Sequence, residues 1–322
     1  MYENAGIPVY LVLGFEGDGK TAYIKNLLNR DKTGTHLIVF EDGAEKYPHK
    51  NGVSEDTKTV FFYEKNIYPA LFDDIAKSKL YGYTDTAGRP DRVIIEYNGM
   101  WNLDDLWQVS MPHNWEYLNV ATVVDAEKFE MYLKDMYASL ADKFSASHLI
   151  VFNRCNENTD MKMYMETAHG INPDAQIIFQ GAENKNLPYI PYDINESEIT
   201  IEDTGFSTFY ADAMKNPGKY DGKTINIRGF IQPVKKYYPN TEHCKSNKCL
   251  FGRYVTRFGM FHFEFLNFFA EYNGTVSNSE LYKMQMYKIT AKIKSEKEKC
   301  KLYISKIEST EQLRHRVVYS ES

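Results

Sequence analysis

The chain has few cysteines, little tryptophan and no basic excess. Four cysteines, Cys155, Cys244, Cys249 and Cys300, are spread over 322 residues, and none precedes Cys155. That density excludes a disulfide scaffold. Lysine and arginine number 38 against 44 acids, a formal charge of −6, which argues against a nucleic-acid partner, since such surfaces carry a basic excess. The longest apolar run, around residues 7–15, falls far short of the ~20 residues that cross a bilayer. Met1-Tyr2-Glu3-Asn4 lacks the basic and apolar pattern of a secretory signal. The expectation is a cytoplasmic protein with reduced thiols and no membrane partner. No local pattern orders serines, histidines and acids into a nucleophilic triad.

Apolar residues make up 43% of the chain, with 25 Tyr and 19 Phe. That is enough for aromatic-rich cores in about two domains of roughly 150 residues each. Short apolar runs at 9–13, 37–40, 60–63, 93–95, 120–124, 149–152 and 177–179 alternate with helical patterns. Most runs are continuously apolar, as strands buried on both faces should be. A helix is expected after Lys20, with Ile24, Leu27 and Leu28 on one face. Another is expected from Glu127, with Phe129, Tyr132, Leu133, Met136 and Leu140 at helical spacing. Alternating strand and helix predicts an α/β domain with a mainly parallel sheet over residues 1–190. Pro188, Pro191 and an acidic stretch at 195–203 mark its end. One helix near 209–214 and strand-like patterns at 224–228, 282–293 and 302–307 predict a smaller, mainly β, barrel-like domain over 200–314.

Gly14-Phe15-Glu16-Gly17-Asp18-Gly19-Lys20-Thr21 fits G-x-x-x-x-G-K-[ST], between an apolar strand and an amphipathic helix. The glycines Gly14, Gly17 and Gly19 let backbone N–H groups turn inward, and the following helix adds its positive end. Lys20 is placed to reach β- and γ-phosphates, and the Thr21 hydroxyl to hold Mg²⁺. Asp18 sits oddly in such a loop, because a carboxylate repels phosphates unless it points outward. The alternative is a glycine-rich turn with an incidental lysine. Arg92-Val93-Ile94-Ile95-Glu96-Tyr97-Asn98-Gly99 is an apolar strand ending in an acid and then a glycine. Glu96 there suits Mg²⁺ or the attacking water, and Gly99 suits backbone access to the γ-phosphate. Glu41-Asp42-Gly43 follows another strand, and Glu41 is a candidate to position water or metal; an ordinary acidic turn is the competing reading.

Phe152-Asn153-Arg154-Cys155-Asn156 lies where a guanine-reading N-K-x-D would be expected. Asn153 suits that role, and Arg154 offers an aliphatic stem to cover a base. Asn156 stands where a carboxylate would accept from guanine N1–H and N2–H₂; its amide oxygen accepts, but its NH₂ only donates. Losing a charge-assisted pair there would cost about 1.5–3 kcal/mol. Glu157 and Asp160 are nearby substitutes. Cys155 reads as an inert buried thiol.

Together these segments resemble the CobW-like GTPases, relatives of the GTPases that mature the nickel sites of hydrogenase and urease. The resemblance rests on residues 7–21, on Val39-Phe40-Glu41-Asp42-Gly43, Ile94-Ile95-Glu96-Tyr97-Asn98-Gly99, Val123-Val124-Asp125-Ala126 and Phe152-Asn153-Arg154. Tyr220-Asp221-Gly222-Lys223-Thr224 and Phe251-Gly252-Arg253-Tyr254 are similar to the C-terminal domain of some of these proteins. The resemblance implies a P-loop NTPase fold, GTP with Mg²⁺ as cofactors, GTP hydrolysis, and a metallochaperone-like role toward a protein client. The family's C-x-C-C motif between the phosphate loop and the Glu96 strand is absent. A nucleotide-dependent binding or scaffolding module with little hydrolysis is the alternative from another class. A small-molecule kinase ranks last, because no acceptor site or lid is legible. His243, Cys244 and Cys249 are a weak candidate zinc group; Lys245 and Lys248 between and beside them repel a cation, so an exposed polar loop is the preferred reading. Cys300, among lysines and a glutamate, reads as a surface residue. Phe258, Phe261, Phe263, Phe265, Phe268 and Phe269 read as core packing of the small domain rather than a partner surface.

Overall fold

The computed structural model describes residues 6–30, 32–41, 43–47, 53–54, 58–78, 90–182, 185–237, 247–256, 258, 263–272, 285–296, 299–310 and 317–319. The chain divides into two compact units, Met1–Leu187 with Phe258–Phe261, and Pro188–Arg257 with His262–Ser322. Each has its own core.

In the first unit, strands β1 (Ile7–Leu13), β2 (Thr35–Val39), β3 (Val53–Ser54), β4 (Thr59–Tyr63), β5 (Arg92–Glu96), β6 (Trp115–Asp125), β7 (Leu149–Asn153), β8 (Gln176–Gln180) and β9 (Asn186–Leu187) form one sheet in the order β3-β4-β2-β5-β1-β6-β7-β8-β9. From β4 to β8 every pairing is parallel; β3 and β9 are short antiparallel edges. The core strands are apolar on both faces because helices cover both. All seven residues of β1 are buried, as are the five each of β2, β5, β7 and β8. The helices are α1 (Lys20–Arg30), α2 (Leu71–Ala76), α3 (Leu103–Trp107), α4 (Phe129–Asp135), α5 (Tyr137–Ala146) and α6 (Met161–Ile171). The helix expected from Glu127 is in fact two, broken at Met136, whose φ of −135° and ψ of 26° leave the helical region. The buried stripe Phe129, Tyr132, Leu140, Phe144 runs on across the break, so apolar spacing gives no sign of it.

The sheet is a P-loop NTPase-type α/β architecture. Strand order reverses about β1: α1 carries the chain to β2, past the place β5 later fills, and β6 to β8 lie on the other side. Ligands of open α/β sheets bind at the carboxyl ends of strands beside such a switch point. Register brings those ends level there, with Val12 and Val39 both opposite Glu96, and Asp125 opposite Asn153.

The second unit contains β10 (Glu198–Ile201), α7 (Phe206–Lys215), β11 (Thr224–Pro233), α8 (Val234–Tyr237), β12 (Lys248–Thr256), β13 (Glu264–Tyr272), β14 (Met286–Glu296), β15 (Lys299–Ser309) and β16 (Val317–Tyr319). Five strands run β11-β14-β15-β13-β12, and β11 pairs again with β12, closing a barrel. Numbered within the barrel, the order is one-two-three-five-four, with the third and fifth strands parallel. That is OB-fold connectivity. Phe206, Phe209 and Ala213 of α7 pack with Ile225, Ile227, Phe251, Phe268, Ile289 and Leu302. Cys300 is a correction: it is buried in this core, its thiol meeting the Ala213 carbonyl at 3.3 Å, because β15 alternates and Cys300 falls on the inward face. Of the phenylalanine group, Phe265 and Phe268 are buried in the barrel unit, whereas Phe263 is exposed. Phe261 lies outside the described residues. Phe258 is buried but its ring meets Tyr10 and Tyr23, inside the first unit. No helix among the described residues is long and apolar enough to cross a membrane.

Candidate functional site

The turn after β1 is a curled loop feeding α1. Gly14, Gly17 and Gly19 all have positive φ. At Gly19, φ is +95° and a Cβ would lie 2.3 Å from the Asn153 Nδ2, so a larger residue would strain the backbone and displace the Asn153 amide. Lys20, the first residue of α1, is 3% exposed. Its ammonium donates to the Gly14 carbonyl at 3.0 Å and the Phe15 carbonyl at 2.9 Å, and lies 2.6 Å from Glu41 Oε2. Glu41 follows β2 and brings its carboxylate to that ammonium, as a phosphate oxygen would. Asp42 lies outside the described residues.

Thr21 donates from Oγ1 to Glu96 Oε1 at 2.8 Å, and Tyr47 donates to Glu96 Oε2 at 2.6 Å. Burial pushes the Glu96 carboxyl up, against the opposing pull of Tyr47, Thr21 and Lys20. Gly99 closes this side: a Cβ there would lie 2.4 Å from the Gly14 carbonyl oxygen and 2.7 Å from the Phe15 Cα. Only a glycine lets the end of β5 pass this close beneath the loop.

On the other flank, Asn153 Nδ2 donates to the Asp18 carbonyl at 3.3 Å, and Arg154 donates to the Gly17 carbonyl at 2.9 Å. Arg154 also pairs with Asp125, the acid at the end of β6. Arg154 has φ +57°, a strained setting for a non-glycine residue that its three ties hold in place. Asn156 is exposed; its Oδ1 accepts from the Asn158 N–H at 2.9 Å, and its own N–H donates to Thr159. Asp160 caps α6 through the Met163 N–H at 3.0 Å. Cys155 is buried, its thiol pushed up to about 11 by burial.

The phosphate-loop residues, Glu41, Glu96, Gly99, Asn153 and Arg154 therefore converge on one loop, with Asn156 two residues beyond Arg154. The sequence reading gave no site role to three contributors. Tyr47 holds Glu96 across 49 residues of chain, and no local pattern marks it. Tyr132 holds Asp18 and was visible only as a helix-face aromatic. Asp125 carried the same signal as Glu96, an acid ending an apolar strand. Of the weak zinc group, Cys249 is a buried barrel residue with its thiol pushed up to about 12 by burial; His243 and Cys244 lie outside the described residues. No three His, Cys, Asp or Glu side chains among the described residues are grouped to hold a metal ion.

The family model described as "CobW/HypB/UreG, nucleotide-binding domain" matches residues 8–179, more than half of the chain. The chain belongs to the CobW/HypB/UreG family. Among solved structures, it is similar to the Zn(II)-bound YjiA GTPase from E. coli at 14% identity, covering 81% of this chain and 89% of that one, with a TM-score of 0.42. The hydrogenase maturation factor HypB from Archaeoglobus fulgidus matches at 17% identity over 56% of this chain and 83% of that one, TM-score 0.34. HypB from Helicobacter pylori in complex with nickel matches at 15% identity over 55% and 79%, TM-score 0.37. No curated protein sequence matches.

Proposed function

We propose that this CobW/HypB/UreG-family chain binds and hydrolyses a purine nucleoside triphosphate, GTP first among them, and that nucleotide state governs docking of a protein client. One observation carries the reading: the loop, the acid-bearing end of β5 and the base-side residues after β7 are one hydrogen-bonded unit around the Lys20 ammonium. In this reading the triphosphate takes the place of Glu41 on Lys20. The freed Glu41 carboxylate is then available to orient water at the γ-phosphate, with Lys20 steadying the charge that develops there.

Thr21 Oγ1 and Glu96 supply hard oxygen donors side by side, which suit Mg²⁺. Glu96 accepts one bond on each oxygen and keeps lone pairs for a cation or its water. When bound, the ion neutralises charge on the β- and γ-phosphate oxygens. Thr21 and Tyr47 hold the Glu96 carboxylate toward the loop, and Gly99 keeps the backbone of β5 against it. The family resemblance also implies a metallochaperone-like role toward that client; no three His, Cys, Asp or Glu side chains among the described residues are grouped to hold the metal.

The second reading, a nucleotide-dependent binding module with little turnover, is favoured by Glu41, which is spent on Lys20 here. Phosphate release with Mg²⁺ decides between them. Hydrolysis predicts steady release by the wild type, loss in Lys20→Ala and at least a tenfold drop in Glu41→Gln. Equal release by wild type and Lys20→Ala would show that another site, or a contaminant, is responsible.

A further inference from the structure

Asp18 is the residue that ordinary phosphate-loop logic does not explain. Its carboxylate is wholly buried. Oδ2 accepts from the Phe15 N–H at 3.0 Å, stapling the loop across three residues, and Oδ1 accepts from the Tyr132 hydroxyl of α4 at 2.7 Å. The side chain is thus turned toward α4 rather than left facing bound phosphate. The Phe15 ring is seated in the same place, 4.4 Å from the Tyr132 ring and 4.8 Å from the buried Lys143 ammonium of α5. Lys20 holds the carbonyl of the residue whose N–H Asp18 holds, so the carboxylate and the phosphate-binding ammonium grip adjoining peptide groups.

We propose that Asp18 is a positioning residue that couples the phosphate loop to protons: ionised, it braces the loop from beneath, and it takes up a proton from solvent when a triphosphate binds above it. The proposal rests on the triphosphate reading of Gly14–Thr21. The groups facing Asp18 set the direction. From α4 comes Tyr132; from the turn before it Lys128, at 3.8 Å. From α5 comes Lys143, and from the loop itself Lys20, already paired with Glu41. Asp125 at the end of β6 is occupied by Arg154 and Lys128. Burial is the largest influence and pushes the Asp18 carboxyl up to about 6, with Tyr132, the Phe15 N–H, Lys128 and Lys20 pulling the other way. An arriving polyanion repels the buried carboxylate and draws Lys20 to itself, and both changes favour the protonated form. By linkage, a group that gains a proton on binding makes binding tighter as pH falls.

The test is isothermal titration calorimetry of the full chain with the Mg²⁺ complex of β,γ-imido-GTP, or of β,γ-imido-ATP where that binds more tightly. Titrations at pH 6–8 in buffers of different ionisation enthalpy count the protons taken up. The difference between wild type and Asp18→Asn cancels protons belonging to the phosphates. The wild type is expected to take up about half a proton more than Asp18→Asn near pH 7, and to gain about threefold to tenfold in affinity from pH 8 to pH 6 relative to the variant. Identical proton counts and parallel pH profiles would overturn the proposal and leave Asp18 a structural brace only. Should Asp18→Asn not fold, Tyr132→Phe replaces it: removing a group that pulls the carboxyl down moves the pH midpoint of affinity upward, and an unmoved midpoint overturns the proposal. A wild type that binds neither analogue defeats the triphosphate reading itself, an outcome distinct from binding without proton uptake.

Discussion

At the residue scale, single side chains hold unequal stakes. Tyr47→Phe removes the hydroxyl that holds Glu96 Oε2 in a buried setting. Leaving a buried carboxylate oxygen short of its donor costs about 1–3 kcal/mol, so the urea midpoint is expected to fall with no change in m. An unchanged midpoint would mean that the pair contributes nothing. Asp18 makes a pH statement about stability. Its carboxyl titrates near the ordinary 3.8 in the unfolded chain and at about 6 in this fold. Between these values the folded chain holds a proton that the unfolded chain has released, so this contribution to stability is full below about 4 and is lost as pH rises through about 6. A carboxyl raised this far is linked to about 3 kcal/mol of stability, and the burial of this group leaves little solvent to screen it. Asp18→Asn lacks this loss, so the wild type is expected to lose stability relative to the variant between pH 4 and pH 7 in denaturant titrations. A constant difference would contradict that. Asn156 is the proposed base-reading residue. Its Oδ1 already accepts from the Asn158 N–H, and its NH₂ suits an acceptor on the base edge. The preference for GTP is therefore expected to be weak, with XTP and ATP binding within about tenfold of it, and Asn156→Asp is expected to sharpen it by about tenfold or more. Strong GTP preference in the wild type would show that this position does not read the base.

At the scale of elements, the loop works because three strand ends lie level beside it. Gly99→Ala tests that placement. Its Cβ would meet the Gly14 carbonyl oxygen at 2.4 Å, and relieving such an overlap costs about 1–3 kcal/mol by moving the loop. The expected result is a lower Tm together with at least tenfold weaker triphosphate binding; unchanged binding would show that the loop tolerates displacement. The strands of the first sheet were legible because continuous apolar runs leave little choice but burial on two faces, and the loop because its glycines, lysine and threonine stand in a fixed spacing. Tyr47 on Glu96 and Tyr132 on Asp18 were not legible, since each bond spans 49 or 114 residues of chain and a tyrosine in an aromatic-rich sequence carries no local mark. β12 and β13 escaped notice for another reason. Their runs mix Gly252, Arg253 and Asn267 with aromatics, and Arg253 is buried with its charge paired to Asp203. Cys300 misleads because flanking lysines mask a strand's inward face.

At the scale of the whole molecule, the two units are packed about separate apolar clusters, those of the parallel sheet and those of the barrel. A ligand that binds only the folded first unit should stabilise that unit alone, by about 2.7 kcal/mol at a hundredfold excess over Kd. Calorimetric melting is expected to show one transition that moves upward with Mg²⁺ and nucleotide and one that stays. If both move together by the same amount, the units unfold as one. The most direct trial of the account is equilibrium binding of a Mg²⁺-triphosphate to wild type and to Lys20→Ala, with circular dichroism confirming that both are folded. Loss of the ammonium that bridges Gly14, Phe15 and Glu41 should weaken saturable one-to-one binding by about tenfold to a hundredfold. Equal affinity in the two proteins, or a folded wild type that binds no triphosphate, would contradict it.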